Sequence, residues 1–145
     1  MARTRLKLAC FITCAGLFAA CSDHSADDEI RSSVMVVAHH EGTPIEEAIV
    51  RLTRHGRAAI PTLEAALHTA PVPGRKNLIT ALRRIGDEEA IPVLRHFGEY
   101  DQDESVRREA TWTLKQWAIE HNSRGEKARA ALRTLDESMG NEEPG

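Results

Sequence analysis

Trp112 and the cations around it are the side chains best suited to recognition chemistry in this chain of 145 residues. At about 100° per residue, Val106, Ala110, Leu114 and Trp117 fall on one helical face. Trp112 points roughly opposite, with Arg108, Lys115 and Ile119. A tryptophan beside arginine is the usual chemistry of an interaction hot spot, and packing of Trp112 onto an adjacent helix is the alternative. Arg51, Arg54, Arg83, Arg84 and Lys115 stand late in successive helices. They read either as a basic ridge for an acidic partner or as cations favourably placed at helix C-termini. Other chemistry finds little support. His39, His40, His55, His68, His96 and His121 show no His-Glu-x-x-His spacing, and His39-His40 suit a helix end. No Gly-x-Ser-x-Gly turn and no phosphate-cradling glycine loop is present, so no catalytic residue, cofactor or metal is expected.

The three cysteines carry a different message. Arg3, Arg5 and Lys7 precede Leu8 to Ala20, thirteen residues without charge, and the apolar run stops at Cys21. That is the layout of a secretory signal, and it is too short to span a bilayer, which takes about 20 apolar residues. Leu17-Phe18-Ala19-Ala20-Cys21 resembles the lipobox of bacterial lipoproteins, with Phe18 where that family usually has Leu, Val or Ile. The resemblance implies cleavage before Cys21, which becomes a lipid-bearing N-terminus with thioether-linked and amide-linked acyl chains. Several chains together anchor stably where one is marginal. Ser22, in place of Asp, resembles the outer-membrane sorting signal of Gram-negative bacteria. The expectation is a signal peptide over 1–20, a lipidated tether over 21–28 and an outer-membrane protein facing the periplasm.

This processing would remove Cys10 and Cys14 and block Cys21 with lipid. A disulfide framework, a cysteine zinc site and a thiol nucleophile then all fall away. Loss of Arg3, Arg5 and Lys7 leaves sixteen basic against 22 acidic residues. Such a chain matches nucleic acid poorly, because affinity there comes largely from neutralising phosphates.

The elements that must position these side chains are helical. With 41% hydrophobic, 28% charged and only 4% aromatic residues, the interior has to be built from Ala, Leu, Ile and Val, in about one domain. Ile30, Val34, Val37 and Ala38 recur at helical spacing and predict a helix from Asp28 to His40, although Val34-Met35-Val36-Val37 alone also suits a strand. Gly42 is expected to end it. Thr43-Pro44-Ile45-Glu46 then offers a capping-box pair with proline in the first turn. Further starts are legible at Asp87-Glu88-Glu89 and at Ser123-Arg124-Gly125-Glu126, and Gly56, Gly86 and Gly98 read as stops. Six helices of about 11 to 17 residues follow the first.

These helices repeat. Ala59-Ile60-Pro61-Thr62-Leu63 returns as Ala90-Ile91-Pro92-Val93-Leu94 at a shift of 31, and Leu52 and Gly56 return as Leu82 and Gly86 at a shift of 30. Arg75-Lys76, Leu78 and Leu82 align with Arg107-Arg108, Ala110 and Leu114 at a shift of 32, with Trp117 in the place of Ile85. A fixed period in this range is the signature of a solenoid of helical hairpins.

The string Arg83-Arg84-Ile85-Gly86-Asp87-Glu88-Glu89-Ala90-Ile91-Pro92-Val93-Leu94 resembles the centre of a short HEAT-like repeat of the kind found in phycobilisome lyase subunits and many bacterial scaffolds. Asp103-Glu104-Ser105-Val106-Arg107-Arg108-Glu109-Ala110 resembles the start of the next repeat. The resemblance runs from about Pro44 to Leu135. Repeat two departs from the pattern, with Pro71-Val72-Pro73-Gly74-Arg75-Lys76 at its opening, and repeat three lacks the Ala-Ile-Pro start of its second helix. The resemblance implies an all-α fold, a short right-handed α-solenoid of about three HEAT-like hairpins with an N-terminal capping helix, over 29–139. A disordered tail would occupy 140–145. Leu52, Ile60, Leu63 and Leu67 would meet Leu78, Leu82, Ile91 and Leu94, which meet Val106, Ala110, Leu114 and Trp117. An Asp103–Arg107 pair would knit neighbouring turns.

The function expected is an exported, membrane-anchored, non-catalytic scaffold that binds another protein or peptide. Cys21 is its lipid attachment site, and Trp112, Arg108, Lys115, Arg54 and Arg84 are its partner-binding residues. An enzyme accessory or lyase-like subunit and a soluble cytosolic scaffold are the alternatives.

Overall fold

Leu52 and Leu82 show the repetition in atomic terms. Each closes a first helix by accepting at its carbonyl the N–H of the glycine four residues on, Gly56 or Gly86, and both glycines take positive φ, 57° and 68°. A side chain would be strained there, so glycine is required at both joints. A short 3-10 turn follows each joint, Gly56–Ala59 and Glu88–Ala90. The buried alanines Ala59 and Ala90 then cap helices whose first turns carry Pro61 and Pro92. Matching residues thus occupy matching places in two successive bricks.

The structure, a computed structural model, describes residues 17–140 and the side chains of 25–138. Its helices are α1 (Leu17–His39), α2 (Thr43–His55), α3 (Ile60–Leu67), α4 (Val72–Ile85), α5 (Ile91–Tyr100), α6 (Glu104–Ala118) and α7 (Ser123–Gly140). No strand occurs among the described residues, and Val34 to Val37 are helical. Most of the signal segment lies outside the described residues, as do the side chain of Cys21 and the tail beyond Gly140. The segment 21–28, read as a tether, is helical backbone continuous with the rest of α1. None of the described helices is long and apolar enough to cross a membrane.

The chain forms a short α-solenoid. First helices α2, α4 and α6 stack in order, while α3 lies against α4, α5 against α6, and α7 closes the far end against α5 and α6. Helix α1 covers the near end, packing on α2, α3 and α4. One core runs through all of it. Leu52, Leu63, Leu78, Leu82, Leu94, Val106, Ala110 and Leu114 are completely buried, and Ile60, Leu67, Ile91 and Trp117 nearly so. Each large aliphatic among them contributes about 1.5 to 3 kcal/mol, and no single hairpin could supply that burial alone.

Several local expectations are corrected. The helices after α1 span 8 to 18 residues, because the 3-10 turns shorten α3 and α5. The capping box at Thr43 does not form. Gly42 is the N-cap, at φ 85°, and Glu46 turns away to bind Arg84 of α4 through both carboxylate oxygens, at 2.5 and 3.1 Å. A paired charge on a neighbouring repeat outweighs one local backbone bond. Gly98 is no stop. It sits buried inside α5, where a Cβ would press on Thr111 of α6 at 3.1 Å, so its small size lets two helices approach. At Ser123 the cap is supplied one residue earlier, by Asn122 Oδ1 accepting from the Gly125 N–H at 2.9 Å.

The Asp103–Arg107 tie is also replaced. Asp103 caps α6, accepting from the N–H groups of Ser105 and Val106, while Arg107 donates to the carbonyls of Asp101 and Gln102. Neighbouring units are tied instead by Arg75 and Asp101, with Nε 2.9 Å from Oδ2 and an NH2 donating to Oδ1 at 3.1 Å. Arg57 reaches Asp87 at 3.2 Å and Lys127 reaches Glu88 at 2.7 Å, adding ties of the same kind. Asp103 was already committed to its own helix start, so Asp101, two residues earlier, meets the arginine.

Four carboxyls at these junctions are held below their ordinary range. The Ser105 hydroxyl and two backbone N–H groups do this for Asp103, and Arg124 and Asn122 do it for Glu120. Lys127 and Ser123 lower Glu88, and the Glu89 N–H with Arg57 lowers Asp87. A native value below the unfolded one gives stability that is fully present above the unfolded carboxylate range, about 4, and is withdrawn as pH falls through the depressed native values. Melting followed by circular dichroism should therefore show the contribution of these carboxyls lost in acid, and Asp103→Asn should flatten that loss. A Tm rising below about pH 4 would contradict the assignment.

Candidate functional site

Helix α4 carries four cations, Arg75, Lys76, Arg83 and Arg84, and no carboxylate. Its buried face is set by Leu78, Ile79, Ala81 and Leu82, which sends the cations to the flanks. Two of the four are consumed by the fold, Arg75 by Asp101 and Arg84 by Glu46. Lys76 and Arg83 have no acidic partner among the described residues. They lie seven positions apart, two turns along the same side, which is about 10.5 Å.

That side faces α6 across a groove of about 420 Å³, lined by Lys76, Arg83, Ser105, Arg108, Glu109 and Trp112. The volume falls within the range typical of ligand clefts. Trp112 remains 44% exposed, and the Arg83 guanidinium lies 5.2 Å from its ring centroid. Trp112 therefore does both things that its position allowed: it leans on the neighbouring helix through Arg83 and offers nearly half its surface to solvent. The Nε of Arg83 is buried without a hydrogen-bond partner. A second stacked pair provides the contrast. Arg124 lies 5.1 Å from the ring of buried Trp117, and its donors are spent on Glu120 and the Gly86 carbonyl. Among the described residues, nothing accepts from the Arg83 donors.

The five residues expected to bind a partner, Trp112, Arg108, Lys115, Arg54 and Arg84, are spread over several surfaces. Trp112 and Arg108 meet in the groove, where Arg108 is also paired with Glu104 at 2.9 Å. Lys115 lies on the other flank of Trp112, in a cleft of about 330 Å³ with Gly98 and Thr111. Arg54 is on α2 in a separate hollow of about 320 Å³ with Glu46, Glu47, Val50 and Arg51, and Arg51 pairs with Glu47 at 3.5 Å. Arg84 is held by Glu46 as described. Lys76 belongs to the groove and was noticed in sequence only as a repeat position. The absence of acids along Val72–Ile85 marks the helix as basic, but it does not distinguish Lys76 from Arg75 and Arg84, which neighbouring elements pair.

Histidines His68 and His96 come together from α3 and α5, with ring centroids 5.9 Å apart, stacked with Phe97 and Tyr100 beside the Arg75–Asp101 pair. Among the described residues, no three His, Cys, Asp or Glu side chains are grouped so as to hold a metal ion.

Comparison with known proteins gives one positive result. The family described as HEAT repeats matches residues 17–115 and again 60–143, together most of the chain. Neither a curated protein nor a solved structure matches it.

Proposed function

This chain belongs to the HEAT-repeat family, and we propose that it is an exported, lipid-anchored scaffold that binds another protein or peptide and catalyses no reaction. The observation that carries the binding half is the half-exposed Trp112 beside the free Arg83 in the groove between α4 and α6. A tryptophan left nearly half exposed beside a cation has the composition of an interface hot spot. The solenoid stacks one such first helix on the next, so residues far apart in sequence line one continuous surface. Arg108 and Lys115, on either side of Trp112, widen the contact.

Export and anchoring rest on the basic, apolar and small-residue sequence that ends at Cys21. In this reading the acyl chains on Cys21 hold the protein at the outer membrane, with the solenoid in the periplasm. Palmitate labelling of the full chain is expected to be strong and to vanish in Cys21→Ala. Equal labelling of both, or an unlabelled chain wholly in the soluble fraction, replaces this address with a cytosolic scaffold.

The binding half is tested in membranes by crosslinking and mass spectrometry. Truncating a hot-spot tryptophan costs about 2 kcal/mol or more, close to 30-fold in affinity. Trp112→Ala should therefore lose the crosslinked partner while its melting temperature stays near that of the parent. Undiminished capture would remove the groove from the proposal.

A further inference from the structure

We propose that the occupant of the α4–α6 groove is an acidic peptide segment, whose carboxylates pair with Lys76 and Arg83 while an apolar side chain covers the exposed part of Trp112. The inference rests on the groove being the binding face, and it adds the chemistry of the partner.

The argument is one of charge left over. The chain as a whole has more acids than bases, 22 against 19. Carboxylates to neutralise α4 are thus plentiful, and the fold uses them: Arg84 and Arg75 each hold a carboxylate from a neighbouring element. Among the described residues, the two cations that turn into the groove are paired with none. Arg83 is held over Trp112 with its Nε buried and unbonded. A guanidinium fixed against a ring loses less freedom on pairing than a mobile one, and a fork of free N–H donors matches a carboxylate better than any neutral group.

The opposite wall defines the rest of the partner. On α6, Arg108 is already shared with Glu104, and Glu109 faces the groove. Glu109 repels a carboxylate placed on that side. The acidic edge of the occupant therefore lies along α4, where the cations are about 10.5 Å apart. A segment in polyproline II conformation, rising about 3.1 Å per residue with three residues per turn, presents every third side chain on one face at about 9.3 Å. Two acids three residues apart with an apolar residue between them fit this spacing.

The test uses the full chain and a fluorescein-labelled peptide with two glutamates three residues apart and leucine and proline between them. The same peptide with glutamines serves as its control, and binding is read by fluorescence anisotropy. The glutamate peptide is expected to bind about tenfold tighter than the glutamine peptide at low salt, and to lose that advantage as the salt is raised toward 1 M, where the screening length falls to about 3 Å. Arg83→Glu should weaken it at least tenfold, and Lys76→Gln by a smaller factor. Equal binding of both peptides, or binding of neither, overturns the inference. The membrane crosslinking experiment separates the two proposals. Loss of the partner in Trp112→Ala but not in Arg83→Glu leaves the groove standing and refutes an acidic occupant, and loss in neither refutes the groove itself.

Discussion

Gly74→Ala is expected to cost about 3 kcal/mol of stability, the upper part of the usual range for overpacking, and to loosen α1 from the end of the solenoid. Gly74 lies in the first turn of α4, buried where α1 crosses it. A Cβ there would stand 2.0 Å from the carbonyl oxygen of Ala38 and 2.9 Å from its carbonyl carbon. Both are backbone atoms, so no rotamer change relieves the clash, and α1 has to move. That movement uncovers Val34, Val37 and Ala38, all buried in the shared core. Gly98→Ala is the control. The atom it would meet most closely is the Thr111 hydroxyl, at 3.1 Å, on a side chain that can turn, so its cost should stay near the lower end of that range, about 1 kcal/mol. Urea unfolding of both variants checks this. If Gly74→Ala proves as stable as the parent, α1 is not seated on α4 in the way described.

The second large effect is expected at Asp101, where removal of the side chain should cost roughly 3 kcal/mol, as is usual when one partner of a buried ion pair is lost. Its carboxylate is only 4% exposed and that of Arg75 opposite it 18%. One oxygen accepts from an NH2 of Arg75 at 3.1 Å and from the Asp103 N–H at 2.8 Å, and the other lies 2.9 Å from Nε. Asp101→Ala therefore leaves a largely buried guanidinium uncompensated and strips a support from the turn that launches α6. Because the penalty comes from the orphaned charge, Arg75→Leu combined with Asp101→Leu should cost clearly less than the two single changes added together. A double-mutant cycle by urea unfolding decides it. Additive losses would show that Arg75 and Asp101 act independently.

Both effects mark where reading the sequence fell short. Pro71-Val72-Pro73-Gly74 looks like a turn that departs from the repeat pattern, yet Pro71 is the N-cap and the next three residues form the first turn of α4. Proline tolerates that place because the N–H it lacks has no intrahelical partner there. Gly74 is glycine because of Ala38, 36 residues earlier, and nothing near it in sequence could reveal that. The tie expected from Asp103 to Arg107 failed for a similar reason: Asp103 satisfies its own helix start, which leaves the inter-repeat role to Asp101.

The groove divides in the same way. Trp112 was legible as the residue opposite the buried stripe of α6, since Val106, Ala110, Leu114 and Trp117 are buried and it is not. Arg51, Arg54, Arg83, Arg84 and Lys115, which read either as a basic ridge or as helix-end cations, are spread over the groove, its far flank, α2 and an ion pair with Glu46.

What the amino-acid sequence determined by itself is what local period carries: helices from spacing, the joints at Gly56 and Gly86, and a buried stripe that recurs brick by brick, because a helix declares its apolar face within two turns. What only the tertiary structure decided is which charges are spent and which are left. Glu46 meets Arg84, and Asp101 meets Arg75, across separations of 38 and 26 residues. Among the described residues, the stacking of α2, α4 and α6 brings no carboxylate into ion-pair contact with Lys76 or Arg83, although Glu109 of α6 lines the same groove. An ion pair depends on distance in space, and one helix carries no record of which residues its neighbours will place there.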